Sequence, residues 1–357
     1  MKKLIALLLA LVMVLGLVAC GKTDAPVADA PADAPADKPA DAPADAPADA
    51  PAAEKPVIAF VPKVIGQAWW DYVGEGVAEW AAEHPEVEVI YKGPAEVDAA
   101  AQVQIMTDLV NQGVDALLFS PNDPNACEEI CKQAKEAGIV VISTEAATMT
   151  NVHFDVEAFN DAGLGAFLMD ELAKMMGEEG EYVTMVGSMT MESHNNWADA
   201  AVARQQEAYP NMTLVADARV SSESDSEVAY NLVKQMKQKY PNLKGILGTS
   251  SFDAPGSARA IEELGLTGQM FAISVAMPSE TRDYLKAGVL EGVGLWDPAV
   301  TAKCMLNLAV DMLAGAEVAT GYDLGMPGYE SVEVTGTLIV GDGALAITAE
   351  NVDSFTF

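Results

Sequence analysis

From residue 57 onward, short apolar runs alternate with longer amphipathic segments. Several of the runs are continuous, such as ALLF at 116–119 and IVVI at 139–142. Continuous runs are typical of parallel strands buried on both faces, and strands alternating with helices indicate a doubly wound α/β fold. The first series of predicted strands is Val57–Val61, Val87–Tyr91, Ala116–Ser120 and Ile139–Ser143. Helices are predicted between them at Trp69–Ala82, Glu96–Asn111 and Pro124–Ala137, the last ended by Gly138.

A second series repeats the same alternation. Its predicted strands are Tyr182–Val186, Leu214–Val220, Gly245–Gly248 and Met270–Val275. Its predicted helices are Ala158–Met176, Asn195–Tyr209, Glu223–Tyr240 and Ala254–Leu264. A strand at Gly292–Trp296, a helix at Pro298–Leu313 and a strand pair within Ser331–Val340 follow.

The chain beyond residue 56 exceeds the usual size of one hydrophobic core, so we expect two doubly wound parallel-sheet lobes. The N-terminal lobe would comprise residues 57–146 plus 297–333, and the C-terminal lobe residues 147–296 plus 334–357. Three crossings, near Glu145–Ala147, Trp296–Pro298 and Glu330–Val334, would form a multi-stranded hinge with a cleft between the lobes.

The N-terminal region has a different pattern. Met1-Lys2-Lys3 precedes an apolar run from Leu4 to Val18, which ends in Leu17-Val18-Ala19-Cys20. As a helix this run rises only about 22 Å, short of a membrane span. Its end resembles the lipobox of bacterial lipoproteins, so residues 1–19 are predicted to be a signal peptide and Cys20 the lipidated residue. An uncleaved anchor with an incidental cysteine is the alternative.

Residues 20–56 consist of the lipidated cysteine and a tether rich in Ala, Pro and Asp. Ala-Asp-Ala-Pro repeats with one substitution, Lys38. Proline at every fourth position excludes regular helix and sheet, and alanine supplies most of the apolar side chains, which leaves little to bury. The segment is therefore predicted to be a disordered, solvated tether.

The formal net charge of −33 limits the possible partners. A protein this acidic is repelled by nucleic acid and by anionic lipid, so neither is expected to bind its surface. Membrane contact is expected through the N-terminal lipid only. A solvated acidic surface is the simplest interpretation, and docking of acidic patches on a basic partner is the alternative.

Cysteine and histidine give no sign of a disulfide, a metal site or a catalytic centre. Cys127 and Cys131 lie four apart on one predicted helix, a spacing that rarely meets disulfide geometry, and Cys304 is isolated. We interpret the three as buried apolar residues. The three histidines are scattered, and the common nucleophile and phosphate-loop motifs are absent. No metal, cofactor or enzymatic activity is expected.

The stretch from Val57 to Gly76 carries the first functional signal. A strand ends at Pro62-Lys63, a loop follows, and Trp69-Trp70 opens a helix. Ligands in open α/β sheets lie outside the carboxyl ends of strands, so Lys63 and the tryptophans occupy the position of a ligand site. A solvated lysine and tryptophans packed in the core are the alternative interpretation.

Four motifs together resemble the type I periplasmic sugar-binding proteins, and within them the autoinducer-2 and rhamnose-binding branch. They are VIAFVPK, the Trp69-Trp70 pair, VISTE ending at Glu145, and GVGLWDP from Gly292 to Pro298. The resemblance covers about residues 57 to 315. It implies a monomeric, extracytoplasmic protein with a two-lobe hinged fold. It also implies an ABC importer permease as partner and a small ligand of the rhamnose, pentose or autoinducer-2 class.

The resemblance also assigns roles to individual residues. Lys63 would donate to ligand oxygens, Glu145 would accept, and Trp69, Trp70 and Trp296 would cover C–H faces, with Asp297 beside them at the hinge. The second lobe would contribute Ser193, His194, Asn195, Thr249, Ser251 and Asp253. Glu145, the Ser193-His194 pair and the hydroxyls near Thr249 depart from the autoinducer-2 pattern. A signalling co-receptor and a nucleoside-binding lipoprotein of the same fold remain alternatives.

Overall fold

The computed structural model describes residues 55–357, except for the side chains of residues 216–218. The predicted signal peptide, Cys20 and nearly all of the tether lie outside the described residues. Within residues 55–357 no helix has the length and the apolar composition needed to cross a membrane.

The first sheet has the strand order β11-β12-β5-β4-β3-β1-β2. It is parallel apart from the antiparallel pair β11 and β12. Its strands are β1 (Val57–Val61), β2 (Glu88–Tyr91), β3 (Ala116–Phe119), β4 (Val140–Ser143), β5 (Phe154–Glu157), β11 (Glu333–Thr335) and β12 (Leu338–Val340). The helices packed with it are α1 (Ala68–Glu83), α2 (Ala99–Gln112), α3 (Pro124–Glu136) and α9 (Pro298–Leu313).

Both faces of this sheet are buried, as its continuous apolar strands predict. Ile58 and Phe60 of β1 belong to one hydrophobic core, and the alternate residues Ala59 and Val61 belong to another. Successive strand residues point to opposite faces, so the sheet is covered by helices on both sides.

The second sheet is parallel and has the order β7-β6-β8-β9. Its strands are β6 (Gly180–Val186), β7 (Met212–Ser221), β8 (Leu243–Gly248) and β9 (Phe271–Ile273). Its helices are α4 (Asp161–Met176), α5 (Glu192–Ala208), α6 (Ser226–Lys239), α7 (Asp253–Glu263) and α8 (Pro278–Lys286). β10 (Val293–Leu295) pairs antiparallel with β13 (Leu345–Ile347), and a short 3-10 helix spans Val352–Ser354.

The predicted fold class, two parallel-sheet α/β units of similar plan, is confirmed, but two predicted crossings lie one strand too early. β5 pairs with β4, and β12 pairs with β5, so both belong to the first sheet. The predicted boundaries assign residues 154–157 and 338–340 to the C-terminal lobe. The chain instead leaves the first sheet after Glu157 and again after Val340, because sheet membership depends on long-range pairing that local pattern does not encode.

Helix starts are set by short polar side chains, and four of them differ from the prediction by three residues. α2, α4 and α6 begin later than predicted, and α5 begins earlier. Asp98, Asp123, Asn160, Asp225 and Asp297 each accept a backbone N–H in the first turn of their helix. α5 begins at Glu192 rather than at the predicted residue 195, so residues 193–195 lie inside its first turn.

The three described cysteines are free and buried, which confirms their interpretation as core residues. Burial raises the pKa of the Cys127 thiol to about 12, and the pKa values of Cys131 and Cys304 are raised for the same reason. These thiols therefore stay protonated and unreactive at neutral pH.

Candidate functional site

A cleft lies where the carboxyl ends of strands from both sheets face each other. It encloses about 410 Å³ of space between atoms, counting the part that is open to solvent. The residues that line it are Lys63, Val64, Gln67, Trp69, Trp70, Val97, Glu145, Met191, His194, Trp197, Ser224, Thr249, Ser250, Ser251, Phe252, Val275 and Trp296.

Lys63 and Glu145 form a buried ion pair in this cleft. The Lys63 Nζ lies 2.6 Å from Oε2 of Glu145, and each side chain is only 5% exposed. Ser193, from the second lobe, donates its hydroxyl to the same carboxylate oxygen at 3.2 Å and lies 3.4 Å from Nζ. The pair follows β1 and β4 of the first sheet, whereas Ser193 lies on α5, so this group joins the two walls of the cleft.

Glu145 reaches this position through an unusual backbone conformation. Its φ is +58°, in the left-handed region that non-glycine residues seldom adopt. Such strain persists only when surrounding contacts fix the residue, and it is concentrated at functional sites. The turn after β4 therefore holds its carboxylate toward Lys63 at a cost in backbone energy.

His194 is a neutral hydrogen-bonding group of the second wall. Its Nδ1 accepts the backbone N–H of Gly187 at 3.1 Å, which leaves the proton on Nε2. Burial, and secondarily the positive charge of Lys63, lower the pKa of His194 well below its usual range. The imidazole therefore carries no charge at neutral pH and can donate through Nε2–H.

Gly187 is required by close packing beneath His194. A Cβ at this position would lie 2.5 Å from Oγ of Ser224 and 2.8 Å from Nδ1 of His194. Both side chains would have to shift, and movement of His194 would break the hydrogen bond that it accepts from the N–H of Gly187. We expect Gly187→Ala to lower the free energy of unfolding by about 1–3 kcal/mol, as overpacking does, when measured by urea denaturation of the full chain.

Gly163→Ala is the matched control for this substitution. Gly163 lies in α4, and a Cβ there meets no atom within 4 Å. Because alanine is favoured in helices, the control should gain about 0.5–1 kcal/mol. Equal effects of the two substitutions would contradict the packing argument.

Trp296 is the centre of an aromatic cluster at the hinge. The rings of Trp69, Phe159 and Trp197 meet it nearly at right angles, with centroid distances of 4.9, 5.1 and 5.5 Å. Trp69 comes from α1 beside the first sheet and Trp197 from α5 beside the second. Trp296 therefore contacts both lobes in addition to lining the cleft.

The structure brings most of the predicted site residues together. Those that line the cleft are Lys63, Trp69, Trp70, Glu145, His194, Thr249, Ser251 and Trp296. Ser193 lies just behind them and contacts the ion pair.

Three predicted residues do not line the cleft, because their polar atoms shape the backbone instead. Oδ2 of Asp253 accepts the N–H groups of Thr249 and Ser250, so this acid orders the loop that lines the cleft. Asp297 caps α9 and accepts a hydrogen bond from Tyr72. Asn195 donates to the backbone carbonyls of residues 188, 189 and 191 and accepts from Arg219.

The sequence-based prediction missed several lining residues. Trp197 could have been found, since it lies one helical turn after Ser193 and therefore on the same face of α5. Ser224 gave no sequence signal, because its exposure to the cleft depends on consecutive left-handed residues at 223 and 224. The others are Val64, Gln67, Val97, Met191, Ser250, Phe252 and Val275.

The described side chains offer no arrangement for metal chemistry. Within residues 55–357, no group of three or more His, Cys, Asp or Glu residues is placed to hold a metal ion. The chemistry available in the cleft is that of hydrogen bonding and aromatic contact.

Comparison with known proteins gives a consistent set of relatives. Residues 58–317 match the family described as periplasmic binding protein domain. The chain is 25% identical over 272 residues to a D-ribose/D-allose-binding protein of Pseudomonas aeruginosa, covering 73% of this chain and 83% of the relative.

Two solved structures share the fold. LsrB from Clostridium saccharobutylicum in complex with AI-2 has a TM-score of 0.77 and 23% identity, covering 84% of this chain and 100% of that one. An ABC transporter solute-binding protein of Clostridium phytofermentas with bound L-rhamnose has a TM-score of 0.77 and 19% identity, covering 84% and 98%. These matches confirm the resemblance predicted from the four sequence motifs.

Proposed function

This chain belongs to the periplasmic binding protein domain family, and from that membership we propose that it is an extracytoplasmic solute-binding protein of an ABC importer. Its ligand would be a small uncharged sugar or sugar-like molecule, held in the cleft between the lobes. The observation that carries this proposal is the lining of the cleft, which combines aromatic faces with hydrogen-bonding groups and has no uncompensated charge.

The electrostatics of the cleft favour a neutral ligand. Lys63 and Glu145 neutralise each other at 2.6 Å, and burial keeps His194 uncharged. A charged ligand would have to displace one partner of the ion pair or stay unpaired among largely buried side chains, which is costly. A neutral polyol can instead share the hydrogen-bonding capacity that remains.

The types of side chain in the lining support a sugar in particular. Saccharides combine apolar C–H faces with hydroxyl groups that both donate and accept. The four cleft tryptophans offer faces for the first, while Lys63, Glu145, His194 and the hydroxyls of residues 249–251 offer partners for the second. The relatives named for ribose, allose, rhamnose and AI-2 support the same class.

Capture is proposed to occur by closure of the hinge. A ligand that contacts Lys63 and Glu145 on one wall and His194 on the other binds better when the walls are close, so it shifts the population toward the closed form. The Ser193 contact with Glu145 supports this closed arrangement directly. An affinity near micromolar, about −8 kcal/mol, is expected.

We further propose that the mature protein is a monomer tethered through lipid on Cys20. The basic head, apolar run and Cys20 in the sequence support this anchoring. The tether would hold the two lobes at a distance from the membrane. There the protein would deliver its ligand to the importer permease.

A thermal-shift screen tests the ligand class. The panel is D-ribose, D-allose, L-rhamnose, D-arabinose and autoinducer-2, with D-glucuronate and adenosine as charged and nucleoside controls. At a concentration of 100 Kd a ligand adds about 2.7 kcal/mol of stability. We therefore expect at least one neutral sugar to raise the unfolding midpoint by several degrees and glucuronate to leave it unchanged. A shift with adenosine alone would contradict the sugar proposal.

A further inference from the structure

Two buried acids behind the cleft have no role in the binding described above. Asp155 is fully buried and Glu157 is 6% exposed, and both lie on β5. Residues two apart on a strand point to the same side, so the two carboxyl groups are neighbours. Buried acids of this kind need partners, because an isolated buried carboxylate is costly.

Each acid fixes one end of the turn that carries Glu145. The hydroxyl of Ser143 donates to Oδ1 of Asp155 at 2.6 Å, and the backbone N–H of Ala146 donates to Oε1 of Glu157 at 3.2 Å. Glu145 lies between these anchors with its φ of +58° and its ion pair to Lys63. The two acids therefore brace a strained turn whose side chain lines the cleft.

The buried Oδ2 of Asp155 favours a shared proton on the acid pair. The two carboxyl groups lie on the same side of β5 and are close enough to interact, but two carboxylates have only acceptors. Oδ2 of Asp155 is buried without a donor in the described part of the chain, unless the carboxyl group of Glu157 is protonated. Burial raises the pKa of Asp155 to about 6, and burial together with the charge of Asp155 raises the pKa of Glu157 well above its usual range.

The charged and titratable groups around the pair favour keeping that proton. Asp161 faces both acids from α4, Glu192 faces Asp155 from α5, and Glu145 faces Glu157 from the turn after β4. Tyr329 faces Glu157 from the segment before β11. Lys63 neutralises Glu145, and Asp161 and Glu192 accept hydrogen bonds from Trp197 and Thr148 respectively. A second negative charge on the pair would meet these acids in a site where both carboxyl groups are largely buried.

We propose that Asp155 and Glu157 are positioning residues that hold the Glu145 turn through one shared proton, so that ligand binding weakens when the pH rises far enough to remove it. This inference rests on the proposed function for its ligand and concerns the regulation of that same cleft. Loss of the proton would leave two facing carboxylates, which separate and release the turn. Glu145 would then no longer be held toward Lys63.

Calorimetric titration of the full chain between pH 6.5 and 9 tests the coupling. The probes are D-ribose, D-allose, L-rhamnose and D-arabinose. We expect the Kd of the wild type to be higher at high pH than at low pH. Each unit by which ligand binding raises the pKa of the acid pair increases this ratio about tenfold. In Glu157→Gln the amide donates to Asp155 at every pH, so the profile should be flat. The pH profile of Asp155→Asn should be flat for the same reason. This variant replaces Glu157→Gln in the test if Glu157→Gln does not fold.

Glu280→Gln is the matched control. Glu280 lies on α8, and burial raises its pKa to about 7, but it is not part of the cleft lining or the acid pair. This variant should keep the pH profile of wild-type binding. Identical profiles in the wild type and in the folded pair variants would overturn the proposal.

A ligand-free measurement separates this proposal from the proposed function. Carboxyl groups with raised pKa values bind more protons in the folded state, so their contribution is complete below the unfolded pKa, near 4, and is lost as the pH rises through the folded pKa. Urea denaturation from pH 5 to 9 should show this loss in the wild type and a smaller one in Glu157→Gln. Equal losses would overturn the shared proton. If none of the four sugars binds at any pH, the sugar proposal fails while this comparison still decides on the proton.

Discussion

Lys63→Met is expected to lower the free energy of unfolding by about 3–5 kcal/mol, because it leaves the carboxylate of Glu145 buried without its cation. The two side chains are each 5% exposed and their charged atoms lie 2.6 Å apart. Removing one charge of such a pair costs far more than removing both. The same variant should lose measurable sugar binding, since its donor to ligand oxygens is gone. Urea denaturation and calorimetric titration of the full chain measure the two effects.

The double variant Lys63→Met with Glu145→Gln provides the internal control. It removes both charges and keeps similar volumes, so it should recover most of the lost stability and yield a coupling energy from the double-mutant cycle. Lys303→Met breaks the surface pair with Glu79, which is more exposed, and should change stability far less. A double variant no more stable than Lys63→Met would show that the two charges do not act as a pair.

Trp296→Ala is expected to cost about 3–5 kcal/mol of unfolding free energy and to weaken ligand binding as well. The side chain is 4% exposed, and its ring contacts aromatic residues from both lobes and from the other hinge segment. Removing it would leave a cavity at the hinge and take away part of the aromatic lining of the cleft. The measurements are urea denaturation and titration with the best sugar of the thermal-shift panel.

Trp80→Ala separates stability from binding. Trp80 is 3% exposed and bonds to Asn307, but it does not line the cleft. Its replacement should cost a similar amount of stability and leave the affinity of the folded protein unchanged. If both variants bind equally well, Trp296 acts only as a packing residue.

The rule that ligands lie outside the carboxyl ends of parallel strands located the first wall of the cleft correctly. Lys63 and Glu145 each follow a buried parallel strand, and such strand ends lie at one edge of a sheet. The sequence did not predict that the two would bond to each other, because Lys63 and Glu145 are 82 residues apart and β3 lies between β1 and β4 in the sheet. Adjacent tryptophans also gave no sign that both would line the cleft, since neighbouring helical residues diverge by about 100°.

The second wall was harder to predict. An acid or amide in a loop can contact a ligand or can bond to nearby backbone groups, and the sequence does not distinguish the two. Asp253 and Asp297 look like ligand contacts in sequence, yet each satisfies backbone N–H groups near the start of a helix. An Asp before Pro is a typical helix start, and this rule would have identified Asp297. The acid pair on β5 was missed with its strand. Residues 154–157 alternate between apolar and acidic side chains, which is typical of a strand with one face in solvent, so the pattern gives no sign that the two acids are buried.

The placement of the aromatic cluster gives this protein a built-in optical reporter. Four of the five tryptophans in the chain line the cleft, and Trp80 is the exception. Indole emission depends on the polarity around the ring, so a movement of one lobe against the other would change the spectrum of most of the emitting groups at once. Ligand capture, and its proton dependence, should therefore be observable in unlabelled protein, with Trp80 as a constant background.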